Sequence, residues 1–359
     1  MSVGSLHTDR QNNFDFLRIL FAVFVLITHA YMFTGISDCD WLCQLSGGQT
    51  YFTDIGVKGF FIISGYLVYQ SMQRSSSVID FLWRRILRIY PGMLVVLMLS
   101  VLLGWLMYEG IVPYWTNKSV WTYVPYNLSL YVKQTVIEGV FQSNPHNATI
   151  NGSLWTIAYE FAFYLLLSLL FIWRQQRLLL GSVLMFLFAF VVCLGIVYGE
   201  QLLRFGWVLN AYHVVQFGAA FLAGSVLAHF GWLLPLRHIG WLLAAVAVLL
   251  TSFWLHWYSW AGYFLLPVAV LLAGQHYSVW LNWLPQKLGD ISYGVYIYGS
   301  PVQQTLVYFY QPSHSWLFLF SLPITLLLGW LSWRWIEKPA LQRWKKAFNR
   351  KAAIQFSKI

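Results

Sequence analysis

Charge is what this sequence has least of. Only 9% of its 359 residues are Asp, Glu, Lys or Arg, with 12 acidic against 22 basic, whereas soluble domains average about 25% charged residues. Together with 59% hydrophobic residues and a mean hydropathy of +0.60, that scarcity excludes a soluble globular enzyme and leaves a polytopic membrane protein. Cysteine is nearly absent too: three residues cannot build a disulfide framework or a cysteine metal site. No His or carboxylate cluster has metal-ligand spacing, and there is no Gly-x-Ser-x-Gly elbow or phosphate loop. The chemistry must therefore come from scattered residues, with no metal expected. Long linkers, low-complexity tracts and repeats are also missing. The expectation is one membrane domain over 1–359, ending in a basic cytoplasmic tail over 338–359, with a first span retained because no small-residue cleavage site follows it.

What is present is a series of apolar runs of bilayer-spanning length. They predict an all-α bundle of about ten transmembrane helices, near 14–34, 53–72, 86–108, 153–173, 178–198, 210–230, 239–256, 258–275, 290–310 and 316–337. Pro301 should kink the ninth, and His256–Trp257 leaves little room for a turn. With the amino terminus in the cytoplasm, seventeen of the 22 Lys and Arg residues fall inside; Lys118, Lys133 and Arg204 fall outside, and Arg18 and Lys58 lie within spans. That partition obeys the positive-inside rule and puts both termini in the cytoplasm. It also accounts for the net charge of +10 without nucleic acid; the tail reads as an anchor near anionic lipid.

Inside the first run, Arg18 and His29 are eleven positions apart. At 3.6 residues per turn that is almost three turns, so both leave one helix face, separated by roughly 16 Å. Such residues are costly in hydrocarbon without a partner or an aqueous cavity, so this face should line a site. In the second helix, Gly56 to Leu67 is rich in small residues that permit close approach of another helix or a ligand. Arg85 and Arg88 lie one turn apart at the cytoplasmic mouth of the third, where they suit either a phosphate clamp or simple anchoring. Glu160 stands about two turns into an apolar helix, as a structural ion-pair partner or a functional carboxylate. Cys39 and Cys43 can form a local disulfide, and Cys193 reads as packing. The external loop 109–152, with Trp115, Trp121, Tyr123, Tyr126 and Tyr131, suits a membrane interface or a carbohydrate platform.

Taken in order, Asp15-Phe16-Leu17-Arg18 through His29, Phe60-Phe61-Ile62-Ile63-Ser64-Gly65-Tyr66, Arg85-Ile86-Leu87-Arg88-Ile89-Tyr90-Pro91, Ser153-Leu154-Trp155-Thr156 to Glu160, Ile291-Ser292-Tyr293 and Glu337-Lys338-Pro339 resemble the acyltransferase-3 family. These are integral-membrane acyltransferases of bacterial surface glycans, and the resemblance runs from Phe14 to Pro339. It implies transfer of an acyl group, usually acetyl from acetyl-CoA, to a hydroxyl of a polysaccharide or lipid-linked sugar, in the bacterial inner membrane and with no permanently bound cofactor. The family's functional marks fall on Arg18, His29, Arg85 and Arg88. Lys58 departs from the pattern, since many relatives carry an acidic or neutral residue there. No extracellular hydrolase-like domain is expected beyond the last helix.

Combined with the topology, the resemblance gives the expected site. Arg85 and Arg88 hold the donor's phosphates, Arg18 lines its path, and His29 acts as general base or first accepts the acyl group. Glu160 is expected to orient His29, Asp15 to hold Arg18, Lys58 and Ser64 to support the site, and Asn151 and Trp155 to lie on the acceptor side. The rival reading is a secondary transporter or flippase, which shares the helix count and the Pro-interrupted span; paired broken helices in two matching halves are not evident.

Overall fold

A backbone in hydrocarbon must satisfy its own hydrogen bonds, so apolar runs of this length become helices. The computed structural model describes residues 12–146, 148–206, 208–233 and 238–343; Arg10, Arg237 and most of the basic tail lie outside them. Thirteen α-helices are described: α1 Phe14–Phe33, α2 Trp41–Leu45, α3 Phe52–Arg74, α4 Val78–Gly104, α5 Lys118–Leu128, α6 Trp155–Leu169, α7 Arg177–Tyr198, α8 Ala211–Phe230, α9 Ile239–Trp254, α10 Tyr258–Gln275, α11 Val279–Leu288, α12 Ser292–Tyr310 and α13 His314–Ser332. No strand is present among the described residues, and the protein is a multi-pass helical membrane bundle.

Seven of these helices are long and apolar enough to cross a membrane. The other three expected spans are present as helices. Polar residues such as Asp54, Lys58, Gln303 and Gln304 dilute α3 and α12, and α9 has 16 residues. The third helix begins earlier than 86, because the Ser77 hydroxyl caps it by accepting from Asp80 N at 3.1 Å; Arg84, Arg85 and Arg88 are thus helical. Helix α12 runs through Pro301. The turn between α9 and α10 is made in three residues, with His256 at φ +55°.

The bundle has a basic end, carrying Arg18, Arg85 and Arg88, and a loop end. Asn13 fixes the start of α1 at the basic end: its backbone N–H donates to Gly274 O at 2.7 Å, and its side chain accepts from Asn282 Nδ2 at 2.5 Å. Helices α3 and α8 cross so closely that a Cβ at Gly65 would run into the Phe221 carbonyl and one at Gly224 into the Ile62 carbonyl. Ser225 Oγ donates to Gly65 O at 3.1 Å across this contact. The small residues of the second span are therefore a helix–helix seam.

At the loop end, Cys39 and Cys43 form a disulfide around the fully buried Asp40. The Asp40 carboxylate accepts from Thr28 Oγ1 at 2.5 Å, Cys43 N at 2.9 Å and Phe52 N at 2.9 Å, tying α1, α2 and the start of α3 together. The 109–152 segment is more than a loop. It contains α5 and packs Tyr123, Ile137, Val140 and Phe141 inward, leaving Trp115, Trp121 and Tyr126 exposed. Cys193 is exposed on α7 rather than packed.

Candidate functional site

A guanidinium within an apolar bundle needs a carboxylate or a polar cavity, and at the basic end it has both. Arg18 Nη1 lies 3.0 Å from Asp290 Oδ2, Arg88 Nη2 lies 2.8 Å from the same oxygen, and Arg88 Nη1 lies 3.1 Å from Glu337 Oε2. Gly289, at φ +84°, turns the chain from α11 into α12 and delivers Asp290. A π-helical turn over Trp333–Glu337 carries Glu337 inward. Ser292 Oγ donates to Asp290 at 2.9 Å and Ser332 Oγ to Glu337 at 2.9 Å. Burial opposes ionisation of Asp290, which sits in the turn before α12, but Arg18 and then Arg88 overcome that penalty and hold its carboxyl at about 2.

This network walls a cavity of about 430 Å³, lined among others by Arg18, Ser64, Arg85, Arg88, Glu160 and Tyr164. The size is ordinary for a ligand site. Its arginines are not equivalent. Arg18 and Arg88 are engaged by carboxylates, whereas Arg85 donates to Ser71 Oγ at 3.2 Å, lies near the rings of Phe81 and Tyr164 at 6.0 and 5.9 Å, and has no ion pair among the described residues. Arg84, also at the cavity, is 44% exposed and paired with Asp80 at 2.9 Å. Arg85, with Arg84 at the rim, therefore offers charge-assisted donors to an anion. The expected Arg85–Arg88 fork is lopsided, because Asp290 and Glu337 already occupy Arg88.

The structure brings Glu160 and Ser64 together but takes both away from His29. Glu160 accepts from Ser64 Oγ at 2.7 Å and from the Tyr164 hydroxyl, and it faces the arginine cavity. The expectation that it orients His29 is thus corrected. Asp15 is exposed in the first turn of α1, and Arg18 also has a carboxylate partner from across the bundle, Asp290. Lys58 pairs with Asp54 at 2.9 Å and lines a separate cleft of about 650 Å³ at the loop end, with Tyr212, Gln216 and Tyr263.

His29 is 9% exposed, and its Nδ1 has no hydrogen-bond partner among the described residues. Its ring lies 5.1 Å from Phe33, which in turn lies 5.8 Å from His146. Asn151 Nδ2 donates to Ile297 O at 2.8 Å and Gly152 N to Ser300 Oγ at 2.8 Å, so Asn151 builds the turn that starts α6 beside α12. The Trp155 ring packs at a tilt against His213, centroids 4.7 Å apart, with Lys133 Nζ 5.8 Å from its ring centroid. From the arginine cavity a narrow extension of about 50 Å³ runs between Arg18, Glu160, Thr156 and Tyr296. The Thr156 and Tyr296 hydroxyls, both from residues of that lining, lie 2.6 Å apart, and His29 lines neither space.

Sequence reasoning missed Asp290, Glu337, Arg84 and Tyr164. Glu337 stands in a segment already singled out, Glu337-Lys338-Pro339, and Asp290 directly precedes another, Ile291-Ser292-Tyr293. The available signal was charge balance: carboxylates beside apolar helices are the partners that buried arginines require.

Comparison with known proteins agrees with this architecture. The model of the acyltransferase-3 family, described as an acyltransferase domain, matches residues 11–334. An O-acetyl transferase of Shigella phage Sf6 is 28% identical over 343 residues, covering 93% of this chain and 97% of the relative. Nodulation protein 10 of Rhizobium leguminosarum bv. viciae is 30% identical over 366 residues, covering 92% and 94%. No solved structure matches the chain. With nine-tenths of its length spanned by the family model and by both relatives, the chain belongs to the acyltransferase-3 family.

Proposed function

We propose that this membrane acyltransferase moves an acetyl group from cytoplasmic acetyl-CoA to a hydroxyl of a surface polysaccharide or lipid-linked sugar, in the bacterial inner membrane. The observation that carries this reading is the arginine cavity, which Arg85 lines with no ion pair of its own among the described residues while Asp290 and Glu337 hold the neighbouring arginines. A thioester donor with phosphates at one end fits it: guanidinium donors bind the phosphates, and the acyl end lies deeper along the Arg18 face of α1. The relative named an O-acetyl transferase supports acetyl as the group and oxygen as the acceptor atom.

His29 is the reacting group in this reading. Its buried Nδ1 is free to take the proton of the acceptor hydroxyl while that oxygen attacks the thioester carbonyl carbon. The C–S bond then breaks, the CoA thiolate leaves, and the imidazolium returns the proton to it. Products are the sugar ester and CoA-SH. His29 lines neither the cavity nor its narrow extension, so contact between donor and His29 requires that lining to open in this scheme. Glu160, held by Ser64 and Tyr164, belongs to the donor chamber in this scheme.

The test is donor dependence. Acetyl-CoA should raise the thermal midpoint of the purified protein, and Arg85→Ala should remove that protection and raise the KM for acetyl-CoA at least tenfold with a smaller effect on kcat. A parent protein indifferent to acetyl-CoA would sink the proposal and leave the transporter reading.

A further inference from the structure

Away from the arginine cavity, the basic end carries a second cluster of cationic side chains where α3, α7 and α8 meet. Arg174, in the connection between α6 and α7, and Arg177, the first residue of α7, line a groove of about 520 Å³ together with Tyr69, Gln73 and His229. Arg174 lies 4.0 Å over the Phe171 ring and donates to the Ser75 carbonyl, which fixes its guanidinium. The Tyr69 hydroxyl and His229 Nδ1 are 2.6 Å apart, and Gln73 Nε2 donates to the same hydroxyl at 2.9 Å, so this part of the lining is rigid. Among the described residues neither Arg174 nor Arg177 forms an ion pair, and no carboxylate lines the groove.

The groove does not end at the arginines. At Arg177 and His229 it passes into a second space of about 550 Å³ lined by Leu178, Ser182, Met185 and Phe230. Leu178 to Met185 covers two turns of α7, roughly 10 Å along the axis. A cationic, hydrogen-bonding head at the helix ends thus continues into an apolar slot running toward the middle of the membrane. That polarity matches a phospholipid of the same leaflet. A soluble phosphate would have no use for the apolar half.

We infer that Arg174 and Arg177 bind the headgroup of one anionic phospholipid, with an acyl chain seated between α7 and α8. Basic pockets between helices at the cytoplasmic side are suited to this, because each arginine near the surface adds attraction for anionic lipid, and the pre-fixed Arg174 fork loses little freedom on binding phosphate. The site shares no lining residue with the Arg85 cavity and does not depend on the acyl-transfer reading.

The test uses the full-length protein, purified in detergent, stripped of lipid and titrated with phosphatidylglycerol or phosphatidylcholine under native mass spectrometry. One phosphatidylglycerol should bind well ahead of phosphatidylcholine. Arg174→Ala with Arg177→Ala should weaken that binding by roughly 30-fold, as about 1 kcal/mol per arginine implies, while the Arg174→Lys, Arg177→Lys pair should retain most of it. Ser182→Phe, which fills the apolar slot and leaves both arginines, should also weaken it, and this variant keeps the proposal testable if the double alanine variant fails to fold. Equal binding of the two lipids, unchanged affinity in the alanine pair or in Ser182→Phe, or displacement of the lipid by excess inorganic phosphate or CoA would each overturn the inference.

Discussion

Replacing Asp290 with Asn, a nearly isosteric change, removes one negative charge that two guanidiniums share at 3.0 and 2.8 Å. The side chains of Arg18, Arg88 and Asp290 are only 19, 14 and 21% exposed, so water screens the pairs weakly. Removing one partner of such a pair costs about 3–5 kcal/mol, because the other charge stays buried without compensation. Glu337 still faces Arg88 at 3.1 Å, which argues for the lower end, about 3 kcal/mol. Unfolding in mixed micelles titrated with SDS reads this directly. The pair Asp290→Asn and Arg18→Gln should show a coupling of about 1–3 kcal/mol in a double-mutant cycle. As a comparison, Arg84→Gln removes a 44% exposed guanidinium from an i,i+4 pair and should cost about 1 kcal/mol or less. If Asp290→Asn is as stable as the parent to within about 1 kcal/mol, the carboxylates are not what holds α1, α4 and α12 around the cavity, and the reasoning fails.

The same carboxylate predicts a pH dependence. Its folded pKa, about 2, is below the value of about 3.9 in an unfolded chain, so its stabilisation is complete above the latter and fades as pH falls from about 4 to about 2; the stability gap between parent and Asp290→Asn should close over that window. At the loop end, Asp40→Ala removes three accepted hydrogen bonds and should destabilise more than Cys39→Ser with Cys43→Ser, whose short closed loop contributes about 2 kcal/mol or less by chain entropy. Equal losses in SDS unfolding would contradict that ranking. Gly65→Ala should push α3 from α8, because its Cβ meets the Phe221 carbonyl, and a loss of folded protein by size-exclusion chromatography is the expected result; a normal yield and midpoint would show that the seam is looser than described.

Much of the helix plan was legible in the sequence because each span is encoded locally, by an apolar run of bilayer length. The Cys39–Cys43 bridge and the Gly-rich seam were legible for the same reason: four residues of separation, or small residues at helical spacing, carry their meaning within a few turns. The start of α4 lies eight residues before the expected 86, at a cap of Ser77 and Asp80, because the arginines of its first turns interrupt the apolar run without interrupting the helix. The pairing of the site was not legible. Asp290 lies 272 residues from Arg18 and Glu337 lies 249 from Arg88, and no periodicity links residues so far apart. Glu160 was misassigned for a related reason. Its depth in α6 can be counted, but whether its face meets α1 or the α3–α4 side depends on the packing of Ser64 and Tyr164 against it.

The central claim is that His29 handles the proton of the reaction, and the measurement that tests it most directly is acetyl transfer in proteoliposomes. Labelled acetyl-CoA is supplied on one side and the surface glycan of the producing cells on the other, with parent and His29→Ala compared at equal reconstitution. The account predicts that His29→Ala folds, because the ring makes no hydrogen bond at Nδ1 that the fold would lose, still gains thermal protection from acetyl-CoA, and transfers at least a hundredfold more slowly. Transfer at the parent rate by a folded His29→Ala protein would contradict it.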